Sequence, residues 1–325
     1  MRFVYVMDPM ERLSSDKDTT VAFQRAAQKR GHKSLHCELK DLWVSEGEVH
    51  ALVRDLVFEA TPTGGWYKLG APYDVRLADV EAVFIRKDPP FDSQYLYATL
   101  LLERLRGRTI VMNDPRGLRD ANEKLYALHF SRHMPKTMVA SDRDRLLAFV
   151  DSVGGTGVIK PLDGAGGSGV MLLARADKNA RAIIETLTHE GRIAAMVQEY
   201  LPSVTKGDKR VILLDGDVLG AINRVPRADD LRSNIHVGGM VEPIEVTAEE
   251  RAIITDIAPR LRSDGLIFVG LDFIGGKLTE VNVTSPTGIQ ELSRHLGRDV
   301  AEDVIAWVEK RAADLSPHLR SISPG

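Results

Sequence analysis

The sequence predicts an α/β protein, with a helix-covered parallel sheet at its N-terminal end and two smaller α+β units after it. Three observations carry this. From residue 1 to about 121, short apolar runs alternate with helical stretches, the rhythm of strand–helix–strand units. From 122 to 202, two short strands flank a glycine-rich turn. From 203 to 325, apolar runs meet at Asp215-Gly216 and at Gly275-Gly276, both hairpin signals.

In the first unit, Phe3 to Met7 reads as a strand, and Thr20 to Arg30 as a helix stopped by Gly31. Ser34 to Cys37 is the next strand, and Trp43 to Phe58 a hairpin around Glu46-Gly47. Ala82 to Arg86 is a strand ended by Asp88-Pro89-Pro90; a helix from Ser93 to Arg106 and a strand from Thr109 to Met112 follow. In the second unit a helix from Leu118 to Phe130 carries Lys124. A strand near Thr137 to Val139, a helix from Arg143 to Val153, a helix from Ala180 to Thr188 and a strand from Ala195 to Tyr200 surround the glycine turn, which Gly157 to Lys160 and Val170 to Ala174 flank. In the third, Arg210 to Leu214 pairs with Val218 to Val225. Residues 226 to 240 are polar and read as a long loop, a length that is usually functional or disordered. A helix from Ala248 to Arg262, a hairpin of Ile267 to Ile274 with Leu278 to Val283, and helices near Gly288 to His295 and Val300 to Ala313 complete the chain.

Composition narrows the function. The 325 residues hold 43 basic and 46 acidic side chains, net −3, which gives bulk-charge binding of nucleic acid or a membrane surface no support. A single cysteine, Cys37, excludes an intrachain disulfide and a cysteine metal cluster. The N-terminus lacks a secretory pattern, and no apolar run approaches the ~20 residues that span a bilayer. A cytoplasmic protein is expected, with Cys37 in the core and no catalytic pairing among the histidines.

Three clusters carry chemistry. In the run from Lys160 to Gly169, Gly164, Gly166, Gly167 and Gly169 expose backbone N–H groups that can cradle phosphate, with Lys160 on the entering strand as a point charge; a plain flexible hairpin loop is the alternative. It has neither a Walker ending nor a dinucleotide fingerprint. Around Gly275-Gly276, a three-residue loop over Gly275 to Lys277 pairs Asp272 with Glu280 and sets Asp272, Glu280 and Asn282 on one face. Leu271, Phe273, Thr279, Val281 and Val283 then share the other. Two carboxylates and an amide oxygen suit Mg²⁺ bridging phosphates rather than zinc; a solvated strand face is the bland alternative. Arg210 and Arg224 fall on successive strands of one hairpin, and Arg86 ends a strand, where open α/β sheets bind ligands. Each arginine alone could be a surface residue.

Taken together, the runs MDP (7–9), RKDPPFD (86–92), NDPRGLRDANEKL (113–125), KPLDGAGGSG (160–169), DKRV (208–211) and IFVGLDFIGGKLTEVNVTSPTG (267–288) resemble the prokaryotic glutathione synthetases, ATP-grasp ligases. The resemblance spans residues 7 to about 292. It implies an ATP-grasp architecture with an N-terminal parallel-sheet domain and ATP held between two α+β domains, and it implies a homotetramer. Lys124 and Lys160 then resemble the lysines that contact ATP phosphates, and Gly164, Gly166, Gly167 and Ser168 the lid over them. Gln198, Glu199, Tyr200 and Leu201 resemble the strand beside adenine and ribose, and Asp208 a nucleotide-side residue. Arg210 and Arg224 resemble the catalytic arginines facing the acyl phosphate. Asp272, Glu280 and Asn282 resemble the ligands of Mg²⁺, or of Mn²⁺ in its place. Arg86, Gly239, Ser285, Pro286 and Thr287 fall on the side that holds γ-glutamylcysteine. The implied reaction is ATP-dependent: the carboxylate of γ-glutamylcysteine attacks the γ-phosphate, and the amine of glycine attacks the acyl phosphate, giving glutathione, ADP and phosphate. A non-catalytic nucleotide-binding module, the rival class, would be expected to lose Asp272, Glu280, Asn282 or Arg210, and all four are present.

Overall fold

The computed structural model of the chain describes residues 1–60, 65–226 and 240–320. Its first sheet contains β1 (Arg2–Met7), β2 (Lys33–Cys37), β3 (Leu42–Ser45), β4 (Glu48–Val57), β5 (Lys68–Leu69), β6 (Tyr73–Arg76), β7 (Ala82–Arg86) and β8 (Ile110–Met112). The order is β3-β4-β2-β1-β7-β8, with β5 and β6 also on β4. β2, β1, β7 and β8 are parallel, and β4 runs antiparallel to β2. From Phe3 to Met7 and along all of β7 every residue is buried, as expected of parallel strands covered on both faces. Helices α1 (Thr19–Lys29), α2 (Ser93–Leu102) and α3 (Pro115–Asp120) follow. Their N-termini are capped by the carboxylates of Asp18, Asp92 and Asp114, which accept from orphan N–H groups of the first turn.

The second sheet contains β9 (Thr137–Ala140), β10 (Thr156–Pro161), β11 (Met171–Ala174) and β12 (Ala195–Glu199), ordered β11-β10-β12-β9 and antiparallel throughout. Helices α4 (Arg143–Ser152) and α5 (Ala180–Leu187) cover it. Leu146, Leu147, Val150, Ile159, Ile184 and Val197 belong to a core of its own.

The third sheet has β13 (Asp208–Leu214), β14 (Asp217–Val225), β15 (Met240–Pro243), β16 (Phe268–Ile274) and β17 (Lys277–Asn282), ordered β15-β14-β13-β16-β17. Helix α6 (Ala248–Ser263) opens with a capping box of Thr247 and Glu250, and α7 (Ile289–Leu296) and α8 (Ala301–Arg320) follow. The first and third sheets share their cores. Phe3, Tyr5, Phe23 and Phe84 lie in one cluster with Ile212, Phe268, Ile289, Val304 and Val308, while Val4, Leu35 and Val83 join Val211, Leu271 and Val281 in the other.

Two expectations are corrected. Helix α3 stops at Asp120, so Lys124 is not on a helix. The Oδ1 of Asn122 accepts from the backbone N–H groups of Lys124 (3.1 Å) and Leu125 (3.0 Å), a local turn that competes with the helix. The β16–β17 loop has two residues, not three. Ile274 pairs with Lys277 across Gly275 and Gly276, at φ +56° and +76°, as a tight hairpin turn requires. Asp272 nonetheless pairs with Glu280, because the register shifts by one residue at a bulge. Leu278 enters the core beside Phe273, and Thr279, expected on the apolar face, lines the cleft instead while its hydroxyl donates to Asp272 O at 3.1 Å. The loop expected over 226–240, Gly239 included, lies outside the described residues from 227 to 239; Met240 already begins β15. Cys37 is buried and free, and burial raises its thiol pKa. Among the described residues no helix is long and apolar enough to cross a membrane.

Candidate active site

A cleft of about 460 Å³ opens between the second and third sheets. Its upper wall is the turn from Gly164 to Ser168, with Val158 and Lys160 on β10 and Met171 and Leu172 on β11. Gln198, Glu199, Tyr200 and Leu201 close one side at the end of β12. The floor comes from Asp208 and Arg210 on β13, Arg224 on β14, Asp272 on β16 and Thr279, Glu280 and Asn282 on β17. Ser285, Pro286 and Thr287 complete the far end.

Antiparallel pairing brings the floor together. Arg224 lies opposite Asp208, Arg210 opposite Asp272, and Asp272 opposite Glu280. The fork of Arg210 donates to both oxygens of Asp272, Nε at 2.8 Å and Nη2 at 2.7 Å. Arg224 Nη2 donates to Asp208 at 2.6 Å and lies 3.0 Å from Asp272. All four side chains are buried. Burial by itself would raise the Asp272 carboxyl; the two guanidinium groups win and hold it well below the carboxylate range. At Asp208 burial prevails and the pKa goes up, despite Arg224 and with the charge of Asp272 adding to the rise. At Arg224 burial opposes the charge, but Asp208 and Asp272 outweigh it and the pKa rises.

Glu280 is set differently. Lys124 Nζ lies 3.7 Å and Lys160 Nζ 3.8 Å from the same oxygen, Oε1. Lys124 comes from the turn after α3 and Lys160 from β10, so this carboxylate draws the two lysines together. Lys124 Nζ also donates to Gly164 O at 2.5 Å, tying the glycine turn down. Asn282 Nδ2 donates to Gly270 O (3.3 Å) and Asp272 Oδ2 (3.1 Å), which leaves the amide oxygen to face a ligand. Among the described residues no group of three or more His, Cys, Asp or Glu could hold a metal by itself. The oxygen donors here fit a magnesium ion that takes its other ligands from phosphate and water.

Arg86 does not line the cleft. It is buried behind it, between the rings of Phe23 and Phe268 at 5.4 and 5.5 Å, with Nη2 donating to Pro286 O at 3.0 Å and Nε to Thr20 Oγ1 at 3.1 Å. Burial lowers its pKa, against the pull of Asp18 and Asp88. The sequence assigns no site role to Met171, Leu172, Glu123 or Thr284 and sets Thr279 on the apolar face, yet all five line the cleft. Met171 and Leu172 are 41% and 39% exposed, and two apolar residues in sequence just after a glycine turn were the available signal for an apolar wall.

Solved structures share this architecture. D-cycloserine synthetase DcsG is 17% identical with a TM-score of 0.67, covering 96% of this chain and 99% of that one. The ATP-grasp ligase PsnB in complex with a minimal precursor is 18% identical with a TM-score of 0.64, covering 95% and 98%. The fold is therefore that of the ATP-grasp ligases. The family models of the prokaryotic glutathione synthetase N-terminal and ATP-grasp domains match residues 1–119 and 123–297. Glutathione synthetases of Synechococcus elongatus (45% identical over 95% of this chain and 98% of theirs), Agrobacterium fabrum (41%, 94% and 95%) and Salmonella typhi (39%, 95% and 98%) are similar along the same span. The chain belongs to the prokaryotic glutathione synthetase family and is an ATP-dependent ligase.

Proposed function

We propose that this cleft joins γ-glutamylcysteine to glycine at the expense of ATP, the final step of glutathione synthesis. The observation that carries the reading is the convergence of Lys124 and Lys160 on Glu280 beside the paired Arg210, Arg224 and Asp272. Four buried cations facing one cleft can offset the repulsion between a substrate carboxylate and a triphosphate. Phosphoryl transfer depends mainly on such positioning and electrostatic stabilisation. In this reading Lys124 and Lys160 bind the phosphates and the turn from Gly164 to Ser168 covers them, excluding the water that would hydrolyse an acyl phosphate. Gln198, Glu199, Tyr200 and Leu201 seat the base and ribose, with Val158, Met171 and Leu172 as apolar wall and Asp208 at the nucleotide side. Arg210 and Arg224 stabilise charge on the transferring phosphoryl group. Ser285, Pro286 and Thr287 hold γ-glutamylcysteine, and Arg86 acts on that side by fixing Pro286; Gly239 is assigned to the same substrate by the resemblance alone. Asp272, Glu280 and Asn282 hold magnesium, with manganese as a substitute; when bound, the ion neutralises phosphate charge.

The domains of this reading are 1–121, 122–202 and 203–325, supported by the three sheets. The assembly is a cytoplasmic homotetramer, which a light-scattering mass of a single 35.9 kDa chain would overturn. The decisive experiment supplies purified protein with magnesium, ATP, γ-glutamylcysteine and glycine. Glutathione of the correct mass, with ADP release that needs γ-glutamylcysteine, is expected; ADP release without glutathione would overturn the assignment.

A further inference from the structure

After α3 the chain passes through Asn122, Glu123 and Lys124, which between them are tied to the glycine turn, to β17 and to the segment after it. Asn122 Nδ2 donates to Leu162 O at 2.9 Å, where the chain enters the glycine turn. Lys124 reaches Gly164 O and Glu280. Glu123 reaches the other way. Its backbone oxygen accepts from Val281 N at 3.0 Å, in the last strand of the floor. Its carboxylate oxygen Oε1 accepts three hydrogen bonds, from Val283 N (3.0 Å), Thr284 N (3.2 Å) and Thr284 Oγ1 (2.8 Å). An ionised carboxylate accepts and does not donate, and bonds to it are shorter and stronger than neutral ones. Asn282 immediately precedes the clamped residues and Ser285 immediately follows them.

We propose that Glu123 is a positioning residue for the reaction. It fixes residues 283 to 287 so that Asn282 on one side and Ser285, Pro286 and Thr287 on the other stand in register with Lys124, one residue away on its own backbone. The phosphate side and the substrate side are thereby joined through a single rigid step. This rests on the reading that Ser285 to Thr287 hold γ-glutamylcysteine.

The test is steady-state kinetics of Glu123→Ala, Glu123→Gln, Thr284→Val and Thr287→Ala beside the unaltered protein, each substrate varied in turn, with thermal midpoints. Glu123→Ala is expected to raise the KM for γ-glutamylcysteine by about tenfold or more, and that for ATP by about twofold at most, since bonds to a charged acceptor are lost on one side only. Glu123→Gln keeps an acceptor oxygen and recovers most of the loss, while Thr284→Val gives a smaller rise in the same KM. An unchanged KM for γ-glutamylcysteine in Glu123→Ala, or a loss confined to thermal stability that glutamine does not rescue, overturns the proposal. Should Glu123→Ala not fold, Thr284→Val decides, and an unchanged KM there overturns it equally. Thr287→Ala separates the two readings. If it leaves that KM unchanged, the assignment of the substrate side fails and takes the proposal with it. If it raises that KM while Glu123→Ala does not, only the positioning role fails.

Discussion

Glu280 stands beside two ammonium groups and Asp272 beside two guanidinium groups, and this decides which carboxylate reports on the metal. Removing Asp272 leaves the buried Arg210 without its paired carboxylate and Arg224 with Asp208 alone, a loss of about 3–5 kcal/mol in comparable buried pairs, so its variants would mix folding with function. Glu280 is more open, with its side chain 21% exposed, and its lysine contacts are longer. Glu280→Gln keeps the shape and removes the charge. It is expected to shift the magnesium titration of activity to higher concentration with little change in thermal midpoint; an unshifted titration would dismiss the metal role. Lys160→Ala should remove a charge-assisted contact of about 1.5–3 kcal/mol, seen as a ten- to hundredfold loss in ATP affinity by calorimetry. Unchanged affinity would remove Lys160 from the phosphate site. At this scale the sequence was informative because chemistry follows residue type: acids, amide and bases at hairpin spacing announced an oxygen-donor site. It could not reveal that Arg86 lies behind Pro286, since burial between Phe23 and Phe268 is set by residues more than two hundred positions apart.

Among the elements, the hairpin of β16 and β17 is the most instructive. The pairing of Asp272 with Glu280 was legible from the separation of polar and apolar sets, but the way it is achieved was not. A Gly-Gly turn and a bulge at Thr279 produce the same pairing as a longer loop, and only the residue that enters the apolar core, Leu278 rather than Thr279, tells them apart. The sequence extends the helix through Lys124 because helical periodicity continues past Asp120; the Asn122 side chain ends it. A further case is Gly117 on α3. A Cβ there would meet the backbone oxygen of Asp264 at 2.1 Å and Leu266 at 3.1 Å. Alanine at an exposed helical site would stabilise by about 0.5–1 kcal/mol, but here the overlap with fixed backbone dominates. Gly117→Ala is expected to destabilise by about 1–3 kcal/mol, measured by denaturant unfolding, and a stabilised variant would show that α3 does not sit tightly on the end of α6.

Across the whole molecule, α8 joins the two ends of the chain. Arg30 at the end of α1 donates to Glu309 at 2.8 and 2.6 Å, His32 meets the same carboxylate at 2.5 Å, and Lys29 pairs with Glu302. The hydrogen bonds from Arg30, with His32 adding to them against some burial, bring the Glu309 pKa down to about 2. The folded value lies below the ordinary glutamate value of about 4.3, so the link stabilises above that pH and is lost as pH falls toward 2. Glu309→Gln is therefore expected to lower the thermal midpoint at pH 7 and to matter progressively less between pH 4 and pH 2; an equal deficit at both ends of that range would rule out the charge as the cause.

The cores that join the first and third sheets have a further consequence, for the order in which the chain takes shape. Phe3, Tyr5 and Phe84 leave the ribosome long before Phe268, Ile289 and Val304, which complete their packing. Long-range pairing of this kind forms late, and unpartnered apolar surface is exposed meanwhile. The second sheet draws its core from one continuous stretch, Leu146 to Val197, and needs nothing that is made after it. Stalled nascent chains ending before α8 are thus expected to show the middle of the protein resistant to protease while the segment synthesised first is still open to cutting. What is translated first becomes native last.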